Sequence, residues 1–257
     1  MEKFANLMNK KTVELGLKDS HFITPHGLDE EEHYTTAYEL ALIADYALGI
    51  GKIKEVVKTK TYNISINGYS KTISNTNELL GYLDGVNGVK TGFTNGAGRC
   101  LVSSVERNGF NIITVVLGAD TKKIRTKDSI KIIEYIYSNY QLVNLEELIK
   151  KEFNNWCYIN KNRINIYKGK TDNVEIKLEG YNYKIYPVKK ENIKDIKIQI
   201  ENIQSDFEAP VYKNTKIAEL QVSVKETEVI KANIIIDEYI GRKGIKEYVL
   251  ECLNFII

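Results

Sequence analysis

The sequence predicts an α+β protein with two domains and a terminal amphipathic helix. Three observations support this prediction. Apolar residues recur at helical spacing in residues 1–49, strand-like alternation flanks two Asn-Gly pairs between residues 62 and 117, and short β-patterned runs fill much of residues 153–236. A length of 257 residues suffices for two domains of ordinary size. We expect a first domain over residues 1–142, a β-rich domain over 143–238 and the helix over 239–257.

Two helices are predicted at the start of the chain. The first has an apolar face and ends before Gly16, which suits a left-handed C-cap. The second begins at Thr36, where a capping box would let the Thr36 hydroxyl accept an amide hydrogen bond while Glu39 reaches back. Gly49 ends this second helix. The apolar faces consist of Phe4, Leu7, Met8 and Leu15 in the first helix, and of Leu40, Ile43, Ala44 and Ala47 in the second.

Strands are predicted next, because the apolar period changes to two. Residues 62–66 and 69–73 flank Asn67-Gly68, a strong hairpin signal. A second hairpin joins residues 100–106 to 110–117 through Asn108-Gly109. A strand over 86–91 precedes it, and a loop over 93–98 connects the two. We therefore expect a three-stranded antiparallel meander, followed by a helix over about 122–139.

The second half of the chain predicts a small antiparallel β domain. Turn-prone Gly, Asn and Asp separate the expected strands, which lie at residues 164–167, 174–178, 183–188, 196–200 and 229–236. Residues 244–257 return to helical spacing.

The terminal helix carries one apolar stripe, with positive charge beside it. Fourteen residues span ~21 Å, too short to cross a bilayer but long enough to lie on one. We expect either a membrane-surface helix or a helix packed on the β domain. The stripe consists of Ile245, Tyr248, Val249, Cys252, Leu253 and Ile256, and the basic residues are Arg242, Lys243 and Lys246.

Composition excludes several classes of function. The 36 Lys and Arg nearly balance the 34 Asp and Glu, which gives no reason to expect a nucleic-acid partner. The three cysteines, Cys100, Cys157 and Cys252, form no CxxC pair, so neither a disulfide framework nor a zinc cluster is expected. The N-terminus lacks the apolar run of a signal peptide.

A metal centre is not expected either. The three histidines lie around one irregular loop and without HExxH spacing. We expect His26 to hold the turn at Pro25-His26-Gly27, and His21 and His33 to have no metal role.

Lys90-Thr91-Gly92 is the strongest candidate for chemistry. A strand that ends in Lys-Thr-Gly is one element of the serine acyl-transferases that act on D-Ala-D-Ala and β-lactams. The Lys90 ammonium would stabilise negative charge and support proton transfer, and the Thr91 hydroxyl would bind a substrate carboxylate. Gly92 would let substrate lie against the strand, and the Phe93 amide would serve as an oxyanion donor. The alternative is an ordinary surface lysine before a turn.

Several motifs in order along the chain resemble the D-alanyl-D-alanine carboxypeptidases, the low-molecular-mass penicillin-binding proteins of peptidase family S11. They lie at residues 4–17, 21–29, 33–41, 75–80, 85–94, 97–102 and 116–119, with residues 208–222 resembling that family's C-terminal β domain.

The resemblance implies the C-terminal part of a penicillin-binding-protein or β-lactamase-like domain (an antiparallel sheet with helices), followed by that β domain and a membrane-anchoring helix. It implies hydrolysis through an acyl-serine without metal or organic cofactor, with peptidoglycan stem peptide and β-lactams as partners, outside the cytoplasm at the membrane. It also implies a role for Arg125 near the carboxylate-binding end of the site. The alternative for Arg125 is a surface ion pair.

The family's nucleophile motif is missing from these 257 residues. No serine is followed by lysine three positions later, and the resemblance places both Ser-x-x-Lys and Ser-x-Asn upstream of residue 1. Ser65-Ile66-Asn67 fits Ser-x-Asn only as a string, within a predicted hairpin. We therefore expect a carboxypeptidase fragment that is inactive by itself. The alternative is a non-catalytic wall- or membrane-binding remnant of the same scaffold.

Overall fold

The computed structural model describes residues 1–171, 173–181 and 185–254. They form two compact units, Met1–Ser138 and Asn139–Ile257. The division lies slightly before the expected one at residue 142, because the strand Tyr140–Asn144 pairs with Ile185–Lys189 of the second unit. In the first unit, helices α1 to α3 precede a hairpin, a three-stranded sheet and a long helix. Its elements are α1 (Glu2–Glu14), α2 (Ala37–Leu48), α3 (Gly51–Val57), β1 (Thr61–Ile66), β2 (Tyr69–Ser74), β3 (Val86–Thr94), β4 (Gly98–Arg107), β5 (Phe110–Ala119) and α4 (Lys122–Asn139).

Helix α1 ends as its sequence predicts. Gly16 has a φ of +72°, and the amides of Gly16 and Leu17 donate to the carbonyls of Val13 and Thr12. This pairing is a Schellman motif. The predicted apolar face, however, is not buried in the first unit, since Phe4 and Leu7 are 55% and 63% exposed.

The capping box of α2 forms only in part. The Thr36 hydroxyl accepts a hydrogen bond from the Glu39 amide at 3.2 Å, as predicted. The Glu39 side chain turns away from Thr36 and accepts from the amides of Lys18 and Asp19 at 2.7 and 2.9 Å, and from the Ser20 hydroxyl. Although burial opposes ionisation, these three bonds hold the pKa of Glu39 below its usual value. The expected hydrogen bond between the Glu39 carboxylate and the Thr36 amide is absent, because the loop before the helix supplies this carboxylate with three other donors.

The predicted hairpins and meander are confirmed. Asn67 and Gly68 both have positive φ, as the two-residue turn between β1 and β2 requires. Strands β3, β4 and β5 form an antiparallel sheet in that order. Strand β3 is longer than expected, because Phe93 and Thr94 pair with Arg99 and Gly98 and shorten the predicted loop. The core beneath the sheet contains Leu79, Leu101, Val105 and Ile133.

The second unit contains mixed secondary structure. Its strands form a four-stranded antiparallel sheet in the order β10-β12-β13-β8, an antiparallel pair β6-β9 and a parallel pair β7-β11. The five expected strands are present with shifted ends, and Tyr183 lies outside the described residues. The elements are β6 (Tyr140–Asn144), α5 (Leu145–Asn160), β7 (Asn165–Tyr167), β8 (Ile176–Glu179), β9 (Ile185–Lys189), β10 (Ile196–Glu201), β11 (Asp206–Glu208), β12 (Thr215–Val224), β13 (Thr227–Ile236) and α6 (Ile245–Asn254).

Two expectations for this unit were wrong. Helix α5 covers residues where β-patterned runs were expected to begin, because Leu145, Ile149 and Trp156 form one buried helical face. That face packs against the four-stranded sheet. The terminal helix begins at Ile245, as the helical spacing over 244–257 predicts, but the wider segment 239–257 assigned to it starts too early, since Ile240 bridges Val211.

Helix α6 carries an exposed apolar surface. Ile245 is 84% exposed, and Tyr248, Val249, Leu250 and Leu253 are also exposed. The predicted stripe residue Ile256 and the side chain of Cys252 lie outside the described residues. None of the helices described has the length and apolar content needed to cross a membrane.

Candidate active-site strand

Strand β3 presents Lys90-Thr91-Gly92 at an edge of the sheet. Val102, Leu101 and Cys100 of β4 pair with these residues on one side. The other side of β3 pairs with no strand among the described residues. Lys90 and Gly92 are exposed, and the Lys90 ammonium donates to the Thr91 carbonyl. An open edge offers backbone donors and acceptors to a ligand that lies extended along it.

The packing of this unit does not require a glycine at position 92. A Cβ at Gly92 would lie 3.6 Å from the Cys100 Cβ, which is an ordinary contact, and its φ is not positive. At Gly88, four residues earlier on the same strand, a Cβ would lie only 3.0 Å from the side chain of Val57. Gly88 therefore has a packing reason, whereas the missing side chain of Gly92 leaves space on one face of β3.

The Thr91 hydroxyl lies 2.7 Å from the hydroxyl of Thr76. The neighbouring asparagines hold Thr76 in place. Buried Asn77 donates to the Gly88 carbonyl of β3 at 2.9 Å, and Asn75 donates to the Thr59 carbonyl at 3.1 Å. Two hydroxyls thus lie side by side at the strand. We did not predict Thr76, although it lies in the motif at residues 75–80.

Asp29 holds the turn that follows β3. Its carboxylate accepts from the Thr94 hydroxyl at 2.6 Å and from the Gly96 amide at 3.2 Å. The Thr94 hydroxyl accepts in turn from the Ala97 amide at 2.9 Å. A Cβ at Gly96 would lie 3.2 Å from the Asp29 carboxylate, which is closer than an ordinary contact, so a larger residue would require Asp29 to shift. The motif at 21–29 is therefore connected to the candidate site, a role that we did not predict for Asp29.

Phe93 follows Gly92 on the strand and is half exposed. The Arg99 guanidinium lies 3.5 Å from the centre of its ring, which is a cation–π contact. This contact fixes the side chain of Phe93 against β4. The role of the Phe93 amide as an oxyanion donor stays a prediction.

Arg125 lies on α4 and is only 3% exposed. Its guanidinium donates to both carboxylate oxygens of Glu78, at 2.6 and 2.7 Å. Burial opposes ionisation of Glu78, but hydrogen bonds from Thr126 and Arg125 hold its pKa below its usual value. The charge of Arg125 is therefore already neutralised within the protein. Arg125 and Glu78 therefore form an ion pair in which Arg125 is buried, whereas the alternative considered from the sequence was a pair on the surface.

The histidines are used in local hydrogen bonds. Nδ1 of His26 accepts from the Leu28 amide at 3.3 Å, and Nδ1 of His33 accepts from the Ile23 amide at 3.2 Å. Nδ1 of His21 lies 2.7 Å from the Glu32 carbonyl. Over residues 1–171, 173–181 and 185–254, no group of three or more His, Cys, Asp or Glu side chains is placed to hold a metal ion.

Two cysteines are partly buried free thiols, Cys100 and Cys157. Burial raises the pKa of the Cys157 thiol. Ser65 and Asn67 lie on the exposed hairpin of β1 and β2.

Lys-Thr-Gly is one of the sequence elements of the serine acyl-transferases that act on D-Ala-D-Ala and β-lactams, and β3 presents it on an antiparallel sheet. Comparison with known families agrees with this class. Residues 1–121 match the family described as D-alanyl-D-alanine carboxypeptidase, and residues 159–242 match the C-terminal domain of penicillin-binding protein 5. Over these two segments the chain is similar to the D-alanyl-D-alanine carboxypeptidases of peptidase family S11.

Individual relatives span the chain. It is 32% identical over 233 residues to the D-alanyl-D-alanine carboxypeptidase DacF of Bacillus subtilis, covering 89% of this chain and 56% of that protein. It is 29% identical over 245 residues to DacA of Haemophilus influenzae, covering 94% of this chain and 58% of that protein. The chain thus spans little more than half the length of these relatives.

Solved structures share the fold. Penicillin-binding protein 5 from Haemophilus influenzae superposes with a TM-score of 0.70 and 25% identity, covering 94% of this chain and 67% of that one. Penicillin-binding protein 6B from Escherichia coli gives a TM-score of 0.63 at 23% identity, covering 91% and 60%, and supports the fold alone. These superpositions confirm the predicted α+β class.

Proposed function

We propose that these residues form the Lys-Thr-Gly wall and the β-rich C-terminal domain of a serine D-Ala-D-Ala carboxypeptidase. The whole enzyme removes the terminal D-Ala from peptidoglycan pentapeptide, outside the cytoplasm. The open edge of β3 is the observation that carries this proposal. This strand presents the exposed ammonium of Lys90, the hydroxyl of Thr91 beside that of Thr76, and Gly92, which has no side chain. The similarity to D-alanyl-D-alanine carboxypeptidases supports the same activity.

The peptide substrate lies extended along β3 in this proposal. The hydroxyls of Thr91 and Thr76 bind the terminal carboxylate, and Gly92 leaves room for the peptide backbone. The Lys90 ammonium stabilises negative charge beside the nucleophile, and the Phe93 amide donates to the oxyanion of the tetrahedral intermediate. A serine attacks the carbonyl, D-Ala leaves, and water then releases the acyl group.

The nucleophile must come from a Ser-x-x-Lys sequence, which these 257 residues do not contain. We therefore define the joined protein as these residues preceded by a segment that carries Ser-x-x-Lys. The joined protein is expected to react with substrate and with β-lactams. The 257 residues alone are expected to contribute binding groups without covalent reaction.

Thr91→Val in the joined protein tests the carboxylate-binding role. Removing one hydroxyl while keeping the side-chain shape should raise KM for a D-Ala-D-Ala peptide about tenfold, which corresponds to about 1.4 kcal/mol for one lost hydrogen bond to a charged group. The KM for an analogue without the carboxylate should change little. Thr72→Val on the exposed hairpin is the matched control and should leave both KM values unchanged. Equal losses for both ligands would contradict the assignment.

We further propose that helix α6 attaches the protein to a membrane surface. Its exposed apolar residues and the nearby lysines suit a helix lying in the interface of an anionic bilayer. The exposure of this face favours the membrane over the alternative of a helix packed on the β domain.

Vesicle sedimentation tests the membrane proposal. The chain should co-sediment with anionic vesicles, and both deletion of residues 244–257 and Val249→Asp/Leu253→Asp should reduce the bound fraction at least fivefold. Vesicles of zwitterionic lipid should bind less, because they lack the electrostatic attraction. Equal sedimentation of the chain and its variants would favour the packed-helix alternative.

A further inference from the structure

The hairpin of β1 and β2 has one apolar and one polar face. Cross-strand partners on the apolar face are Tyr62 with Ile73, Ile64 with Lys71, and Ile66 with Tyr69. The opposite face carries only Thr, Ser and Asn side chains, two of which, Thr72 and Asn63, bond to each other at 2.6 Å. The separation into two faces follows from the strand period of two.

The apolar face is uncovered. Tyr69 is 81% exposed and Tyr62 63% exposed, and Ile66 and Ile73 are exposed as well. An uncovered apolar face of this kind marks a binding surface. Tyrosine suits such a surface, since it offers a rigid ring for contact and a hydroxyl for hydrogen bonding.

The base of this face continues into a cleft beside helix α3. Tyr62 and Ile73 line the cleft together with Val56, and its volume is about 500 Å³. Asn75 also lines it, and the Asn75 amide donates to the Lys60 carbonyl at the base of the hairpin at 2.8 Å. The next residue, Thr76, holds the hydroxyl that touches Thr91. Consecutive residues, Asn75 and Thr76, therefore link the cleft to the hydroxyl pair at Thr91.

The charge around the hairpin is positive. Residues 50–75 contain five lysines and one acidic residue, Glu55. Glu55 pairs with Lys52 at 3.3 Å, and no described carboxylate pairs with Lys60 or Lys71. Lys71 lies in the middle of the apolar face, opposite Ile64. The surface is therefore complementary to a ligand that combines apolar ring faces with carboxylates.

We propose that this hairpin and cleft bind the peptidoglycan polymer beyond the reacting dipeptide, namely the glycan strand and the stem peptides that branch from it. The inference rests on the proposed function, because it extends the ligand of Thr91 beyond the reacting dipeptide. The flat C–H faces of sugar rings suit Tyr62 and Tyr69, and the ammonium groups of Lys60 and Lys71 suit the carboxylates of the stem peptides. The hairpin and cleft would therefore bind polymeric peptidoglycan more tightly than a free stem peptide.

Sedimentation of the 257-residue chain with purified peptidoglycan sacculi tests this proposal. The chain should bind, and Tyr62→Ser/Tyr69→Ser should lower the bound fraction at least fivefold. Lys71→Gln should weaken binding about twofold to threefold and reduce its salt dependence. Ser65→Ala/Ser70→Ala, on the opposite face of the same hairpin, is the matched control and should bind as the unchanged chain does. Far-UV circular dichroism should show that all variants keep the fold.

Several outcomes would overturn the proposal. They are failure of the chain to bind sacculi, undiminished binding by the tyrosine variant, tyrosine-dependent binding to anionic vesicles instead of sacculi, and a tyrosine-dependent dimer in sedimentation equilibrium. Separate measurement of a free D-Ala-D-Ala peptide in the joined protein distinguishes this proposal from the proposed function. The tyrosine variant should leave KM for that peptide unchanged, whereas Thr91→Val should raise it.

Discussion

Lys90→Ala should slow acylation of the joined protein by a β-lactam about a hundredfold. The Lys90 ammonium is exposed on the open edge of β3, where the reacting carbonyl and the serine would meet. Preorganised charge in a site that substrate closes to water is worth on the order of 3 kcal/mol in the transition state. Stopped-flow measurement of the second-order acylation rate constant gives the effect directly.

The control for this prediction is Lys123→Ala. Lys123 lies exposed on α4 of the same unit, so its removal changes net charge equally without touching β3. Its acylation rate constant should stay within twofold of the unchanged protein. An unchanged rate constant in Lys90→Ala would remove β3 from the active site.

Arg125→Ala should lower the free energy of unfolding by roughly 2 to 3 kcal/mol. The substitution leaves the Glu78 carboxylate without its guanidinium partner in a mostly buried position. The expected loss is no larger than the loss of stability typical when one partner of a fully buried ion pair is removed, because Glu78 keeps some exposure to water. Urea denaturation of the chain, followed by circular dichroism, measures the loss. Lys123→Ala on the same helix should change the stability by less than about 0.5 kcal/mol.

Two further measurements identify the cause of that loss. Glu78→Gln/Arg125→Met should be more stable than Arg125→Ala, because no unpaired charge remains. The pKa of Glu78 is lowered in the folded protein, so its ion pair stabilises the fold above pH 4.5 and the contribution disappears as pH falls through the folded pKa. The difference between the protein and Arg125→Ala should therefore shrink under acid conditions. A raised KM for substrate without loss of stability would instead assign Arg125 to carboxylate binding.

Local chemistry made the first half of the fold predictable. Asn67-Gly68 and Asn108-Gly109 adopt the positive φ angles that few other residue pairs tolerate, so both hairpins follow from the sequence. The end of α1 is predictable as well, because Gly16 adopts the positive φ angle that its C-cap requires. Helix α5 could also have been found, since Leu145, Ile149, Phe153 and Trp156 recur at spacings of four, four and three. Asparagines and lysines between them obscured that period.

The candidate site was predictable only where its residues are consecutive. Lys90, Thr91 and Gly92 form one tripeptide, and their chemistry can be read without a structure. Thr76 lies 15 residues from Thr91, and Asp29 lies 65 residues from Thr94. Arg125 lies 47 residues from Glu78. Such contacts depend on how β3 packs against distant loops, and no local pattern specifies them.

Intact-mass spectrometry after treatment with penicillin tests the central claim most directly. The joined protein should gain the mass of one β-lactam per molecule, on the serine of Ser-x-x-Lys, while the 257-residue chain alone should gain none. Circular dichroism should first show that both proteins are folded. A stoichiometric adduct on the 257 residues alone, or no adduct on a folded joined protein, would contradict the assignment of β3 as one wall of a D-Ala-D-Ala carboxypeptidase site.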